Sequence, residues 1–214
     1  MSFARYRPLL AAALLVSAGA HAATLLSEGF DDVGTLAGAG WLQTNLDPDP
    51  ALNIGWFQGQ SNIFGSHSGA AGSYIASNYA AAAADTTLDN WLITPVFSTA
   101  LSGSVTFWLR GAADDGYTDT VRFGFSDGSG TPADFVLGNA VTAVGDWTEY
   151  TATFASAGAG STARFAIDYT GSDNIADYIG IDDVGITAVP EPSQWLMLGV
   201  GLLGLAALRR RAAR

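Results

Sequence analysis

Three stretches of this sequence keep a strict two-residue periodicity, and that limits the fold more than any other feature. SVTFWLRG (Ser104–Gly111) sets Val105, Phe107 and Leu109 on one face and Thr106, Trp108 and Arg110 on the other. TVRFGFS (Thr120–Ser126) sets Val121, Phe123 and Phe125 opposite Arg122, and TARFAIDYT (Thr162–Thr170) sets Ala163, Phe165, Ile167 and Tyr169 opposite Arg164 and Asp168. Side chains alternate across a strand, so each stretch predicts a strand with one packed and one wet face. All three arginines are expected on wet faces. Further runs at Leu26–Phe30, Trp41–Asn45, Ile54–Gln58, Tyr74–Ser77, Trp91–Val96, Trp147–Phe154 and Tyr178–Thr187 bring the count to about ten strands separated by Gly, Asp, Asn and Ser turns. That pattern predicts an all-β, jelly-roll-like two-sheet sandwich. Ala80–Ala84, between turn-forming Asn78 and Asp85, reads as a loop crossing between strands.

Both ends are of different material. Arg5 and Arg7, an apolar run from Leu9 to Val16, and Ala20-His21-Ala22 predict a secretory signal peptide over residues 1–23, cleaved after Ala22 or Ala23 and delivered through the Sec machinery. The run is short for a membrane span. The sandwich is expected over 24–188. Beyond it, Pro190 and Pro192 forbid sheet pairing, and from Trp195 to Leu208 every residue is apolar or glycine. A single, marginally long transmembrane helix is expected at about 193–208. Arg209, Arg210 and Arg211 then mark the cytoplasmic side of the inner membrane by the positive-inside rule.

Charge excludes one class of partner. There is no lysine, and between Arg7 and Arg209 three arginines stand against twenty acids, a formal −17. Phosphate backbones are repelled by such a surface, so no nucleic acid is expected. Self-repulsion on this scale costs stability unless cations relieve it, which motivates a bound calcium ion. With no cysteine in the chain, the core must hold the fold, with a metal as the other contributor.

Val189-Pro190-Glu191-Pro192, then an apolar glycine-containing segment, then the arginine cluster resemble a PEP-CTERM sorting signal. The resemblance implies an exosortase partner, anchoring in the inner membrane before processing, and a Gram-negative host that makes exopolysaccharide or biofilm matrix. The domain has its own resemblance. SEGFDD (Ser27–Asp32), Gly40-Trp41, LDNWLITPVF (Leu88–Phe97) and YIGIDDVGIT (Tyr178–Thr187) occur in the order of choice-of-anchor J domains, which are similar to cleaved-adhesin and MAM-like jelly rolls. It implies a non-enzymatic surface or matrix protein engaged in adhesion or polysaccharide contact.

First and last strands of a jelly roll often lie side by side. That would bring Glu28, Asp31 and Asp32 to Asp182 and Asp183, with Glu28, Asp31, Asp182 and Asp183 as candidate calcium ligands, since calcium takes six to eight oxygens. The resemblance supports Glu28 and Asp183 in particular. Turn capping by solvated aspartates is the other reading of the same residues. Asp114, Asp115 and Asp119 read as solvated surface. Trp56 and Phe57, adjacent, large and close to Gln58 and Gln60, are candidate sugar contacts, with core packing as the competing explanation. Catalytic patterns are thin. His67, in GSHSG, is the only histidine left after signal cleavage, and no G-x-S-x-G elbow is present. No catalytic residue is assigned, and a secreted glycan hydrolase working through a carboxylate pair stands as the alternative.

Overall fold

The computed structural model describes residues 22–47, 54–112 and 114–189, with 199, 201, 202, 204, 209 and 210 of the tail. Two antiparallel sheets face each other. In chain order the strands are β1 (Ala23–Glu28), β2 (Leu42–Asn45), β3 (Phe57–Gln58), β4 (Ile75–Asn78), β5 (Thr87–Ile93), β6 (Phe97–Ser98), β7 (Gly103–Gly111), β8 (Thr120–Ser126), β9 (Val136–Leu137), β10 (Val141–Thr142), β11 (Thr148–Phe154), β12 (Thr162–Ser172) and β13 (Tyr178–Ala188). The first sheet runs β11-β7-β13-β4-β3 and the second β10-β8-β12-β5-β2, with β1 on β13, β6 on β12 and β9 on β8. The fold is the two-sheet sandwich that the alternation predicts. All ten expected strands are present; β6, β9 and β10, two residues each, are too short to leave a periodic signal.

The inward faces interdigitate as the pattern requires. Val105, Phe107 and Leu109 of β7 and Ile179, Ile181, Val184 and Ile186 of β13 pack on Val121 of β8, Leu88 and Leu92 of β5, and Phe165, Ile167 and Tyr169 of β12. Each fully buried side chain of this size contributes ~1.5–3 kcal/mol. A polar link crosses this core, from Asn90 Nδ2 of β5 to Ser77 Oγ of β4 at 2.8 Å.

The outward faces differ from expectation. They are not simply wet, because each sheet carries a second layer. Over the first sheet lies the segment from Gly59 to Ser73, whose Phe64 joins Tyr74, Ala76 and Tyr178 in a separate aromatic cluster with Phe57 and Trp147 at its margin. Tyr74 and Tyr178 hydroxyls both accept from Gln60 N at 3.0 Å, and Tyr74 donates to Gln60 O and Phe64 O. Gly180 makes this closeness feasible: a Cβ there would stand 2.7 Å from the Tyr74 ring and 2.9 Å from Phe64. Arg110, expected in water, lies under this layer with its guanidinium 4.6 Å from the Phe64 ring centre. Over the second sheet, Phe135 and Leu137 cover Trp91, Ile93 and Ala166. Trp91 and Ile93 therefore share a face, and it is the outer one. Arg164 spends its donors on the carbonyls of Gly40, Thr94 and Gly128.

Ala23 pairs with Ala188, so both termini of the sandwich leave from one end. Val189 N still donates to Ser102 O at 2.8 Å. Beyond it, Pro190, Glu191, Pro192 and Arg211 lie outside the described residues, as does most of the expected 193–208 helix and the signal peptide up to residue 21. Gly199, Gly201, Leu202, Gly204, Arg209 and Arg210 carry helical backbone. Among the described residues no helix is long and apolar enough to cross a membrane.

Candidate functional site

Strand β13 changes partner halfway along one edge. Tyr178–Ile181 pair with β4, ending at Ile181↔Ile75, and from Glu28↔Val184 onward the partner is β1. Asp182 and Asp183 occupy the break, where the register with β7 also shifts. Asp183 takes a left-handed φ of 47°, and Phe30, just past the end of β1, takes 53°. Such conformations are disfavoured for residues with a Cβ and persist where surroundings impose them.

The loop Gly65–Gly72 bonds both carboxylates at the break. Asp182, fully buried, accepts from His67 N at 2.8 Å, Ser68 N at 3.1 Å and Asp183 N at 2.7 Å. Burial nevertheless pushes its carboxyl up to about 6, against those stabilising amides. Asp183 accepts from Ser68 Oγ at 2.8 Å and lies 2.6 Å from His67 Nδ1. The His67 ring stacks on Trp108, with centroids 3.7 Å apart. Ser73 Oγ donates to Asp31 Oδ1 at 2.7 Å, and Phe30 N donates to Glu28 Oε1 at 2.8 Å.

The structure brings β1 beside β13, as expected, with Glu28 opposite Val184, but each of Glu28, Asp31, Asp182 and Asp183 bonds its own donor rather than converging on one point. Their oxygens are directed at hydrogen-bond donors of the chain itself. Among the described residues no three His, Asp or Glu side chains group so as to hold a metal ion. The junction also does not form a catalytic triad. Ser68 Oγ and His67 Nδ1 both address Asp183, so the serine is spent on the carboxylate rather than bonded to the imidazole that would activate it.

The remaining candidates separate. Trp56 is 4 % exposed and belongs to the main core, so its ring is not open to a sugar; this corrects the expectation. Phe57 is half-buried and tilts against Tyr178 at 6.0 Å. Asp119, expected in solvent, is buried and accepts from Tyr169 OH at 2.5 Å and Asp177 N at 2.8 Å.

A second constellation, which sequence reasoning did not assemble, lies on the outer face of the second sheet. Cross-strand pairing puts Thr44, Trp91, Asp168 and Arg122 in one row. Asp168 is fully buried beneath Arg122, which donates through Nε at 3.1 Å and Nη2 at 2.6 Å to the same oxygen, Oδ2. Burial, with Asp89 close by, pushes Asp168 up to about 6 despite the arginine. Trp91 Nε1 donates to Asp89 Oδ1. The signal was the shared outward reading of Arg122 and Asp168; the register that makes them neighbours was not in it.

Comparison with known proteins adds two findings. Residues 188–211 match the PEP-CTERM protein-sorting motif, so the chain carries the signal of an exported protein anchored in a membrane before processing. The sandwich has the fold of the K1 cleaved adhesin domain of Lys-gingipain from Porphyromonas gingivalis W83, with a TM-score of 0.59 and 20 % identity over 78 % of this chain and 99 % of that domain. The K3 domain of the same protein gives 0.58 and 19 % over the same shares. No curated protein matches the chain in sequence.

Proposed function

We propose that this protein is an exosortase-sorted, non-enzymatic component of the cell surface or extracellular matrix of a Gram-negative bacterium, acting in adhesion and in contact with polysaccharide. The observation that carries the reading is the sorting motif at 188–211, which follows directly on β13. Because β1 starts at the same end of the sandwich, a tether there leaves the opposite end facing away from the membrane. The adhesin fold and the choice-of-anchor J resemblance support an adhesive role. The formal −17 between Arg7 and Arg209 favours neutral over anionic polymers.

A structural calcium ion at the β1–β13 junction belongs to the same proposal. To supply its oxygens, Glu28, Asp31, Asp182 and Asp183 would have to draw together from their present positions, and His67 and Ser68 would have to yield some of their bonds. Nothing at the junction favours hydrolysis of glycans.

The test is made in the exporting host. Replacing Pro190, Glu191 and Pro192 together with alanine should strand the protein at full length in the inner membrane, while wild type reaches the surface or the medium. Normal release of the variant would overturn the sorting reading.

A further inference from the structure

Leu46, Thr86, Thr87, Asp89, Arg122 and Thr170 line an open depression of about 450 Å³ on the outer face of the second sheet. It lies at the part of that face left uncovered by Phe135 and Leu137, which pack instead on Trp91, Ile93 and Ala166. Its volume is within the range of small-ligand sites. We infer that this groove binds a neutral oligosaccharide chain, Arg122 and Asp89 bonding its hydroxyls while Leu46 and the threonine methyl groups contact its C–H faces.

Three observations point there. First, Asp168 Oδ1 is buried and has no hydrogen-bond partner among the described residues, because both arginine donors fall on Oδ2. An unbonded oxygen on a fully buried carboxylate is costly, and Arg122, which covers this carboxylate, is itself a wall of the groove. Second, Asp168 and Trp91 fix the groove's polar groups from beneath. Arg122 is held at its inner edge while its side chain stays 42 % exposed, and Asp89 is held by the indole N–H. Such preorganisation lowers the ordering cost of binding. Third, the charge selects the ligand. Asp89 and Asp168 outnumber Arg122, whose charge is already committed, so an acidic polymer is repelled and a hydroxyl-rich neutral one is accepted.

This inference rests on the polysaccharide reading above, and the test separates the two. The processed protein, purified from its host, is titrated with the host's secreted polysaccharide, with neutral hexasaccharides of β-1,4-linked glucose, xylose or mannose, and with polygalacturonate. Wild type should bind at least one neutral chain and not polygalacturonate. Arg122→Ala and Thr170→Trp should each weaken that binding at least about tenfold, while Glu149→Gln on β11 of the other sheet leaves it unchanged. Thr170→Trp fills the groove and spares the Arg122–Asp168 pair, so it remains informative if Arg122→Ala unfolds. Undiminished binding by a folded Thr170→Trp variant overturns the groove and leaves the polysaccharide reading standing. Failure of wild type to bind any of the polysaccharides overturns both, and preferential binding of polygalacturonate overturns the assigned ligand class.

Discussion

His67 lies flat on Trp108, ring planes 14° apart, while its Nδ1 stands 2.6 Å from Asp183. One side chain thereby ties the Gly65–Gly72 loop to both β7 and the break in β13. His67→Ala removes the stack and the bond together and should cost ~1–3 kcal/mol of unfolding free energy. His67→Phe keeps the stack and should recover part of it. Denaturant unfolding of the three forms checks this, and equal midpoints would show that the loop is held elsewhere.

Acidification should stabilise the fold. Burial raises Asp168, Asp177 and Asp182 to about 6 from an ordinary 3.8, the proximity of Asp114 and Asp119 adding to Asp177. The folded state therefore binds these protons more tightly than the unfolded chain. That contribution is complete below pH ~3.8 and is lost as pH rises through about 6. Relief of the −17 charge works in the same direction. The melting midpoint should be higher at pH 5 than at pH 7.5; a lower one would contradict the burial of these carboxyls.

Gly180 is a packing requirement of the aromatic layer. Gly180→Ala drives a methyl group into the Tyr74 and Phe64 rings and should destabilise by ~1–3 kcal/mol. Gly65→Ala, where a Cβ meets nothing within 4 Å, should be nearly neutral. The comparison is read from paired thermal melts, and equal losses would mean that backbone freedom, not ring contact, fixes the glycine.

The proposed calcium ion has a direct readout. Thermal unfolding with millimolar calcium should show a higher midpoint than with excess chelator, since a ligand of the native state stabilises by mass action. Glu28→Gln with Asp183→Asn should abolish the difference. An unchanged wild-type midpoint would remove calcium from the account.

The strands that build the core were legible because alternation is local: Val105-Phe107-Leu109 and Ala163-Phe165-Ile167 announce their own faces. What lies outside the sheets was not, because it depends on which distant segment folds back. Nothing in SVTFWLRG says that Phe64 will cover Arg110, and nothing near Trp91 says that Phe135 will cover it. That β1 lies beside β13 follows the general habit of jelly rolls; that Glu28 falls opposite Val184 does not. The bonding of Asp182 and Asp183 to His67 and Ser68, well over a hundred residues away, was invisible for the same reason as the Arg122–Asp168 pair. Register between strands fixes such neighbours, and composition does not carry it.

The most direct test of the account is the intact mass of the mature protein recovered from the surface or medium of its host. Export followed by sorting predicts a chain that begins at Ala23 or Thr24 and ends close to Val189–Pro192, without Arg209, Arg210 and Arg211. A mature exported protein that retains the arginine cluster would contradict it.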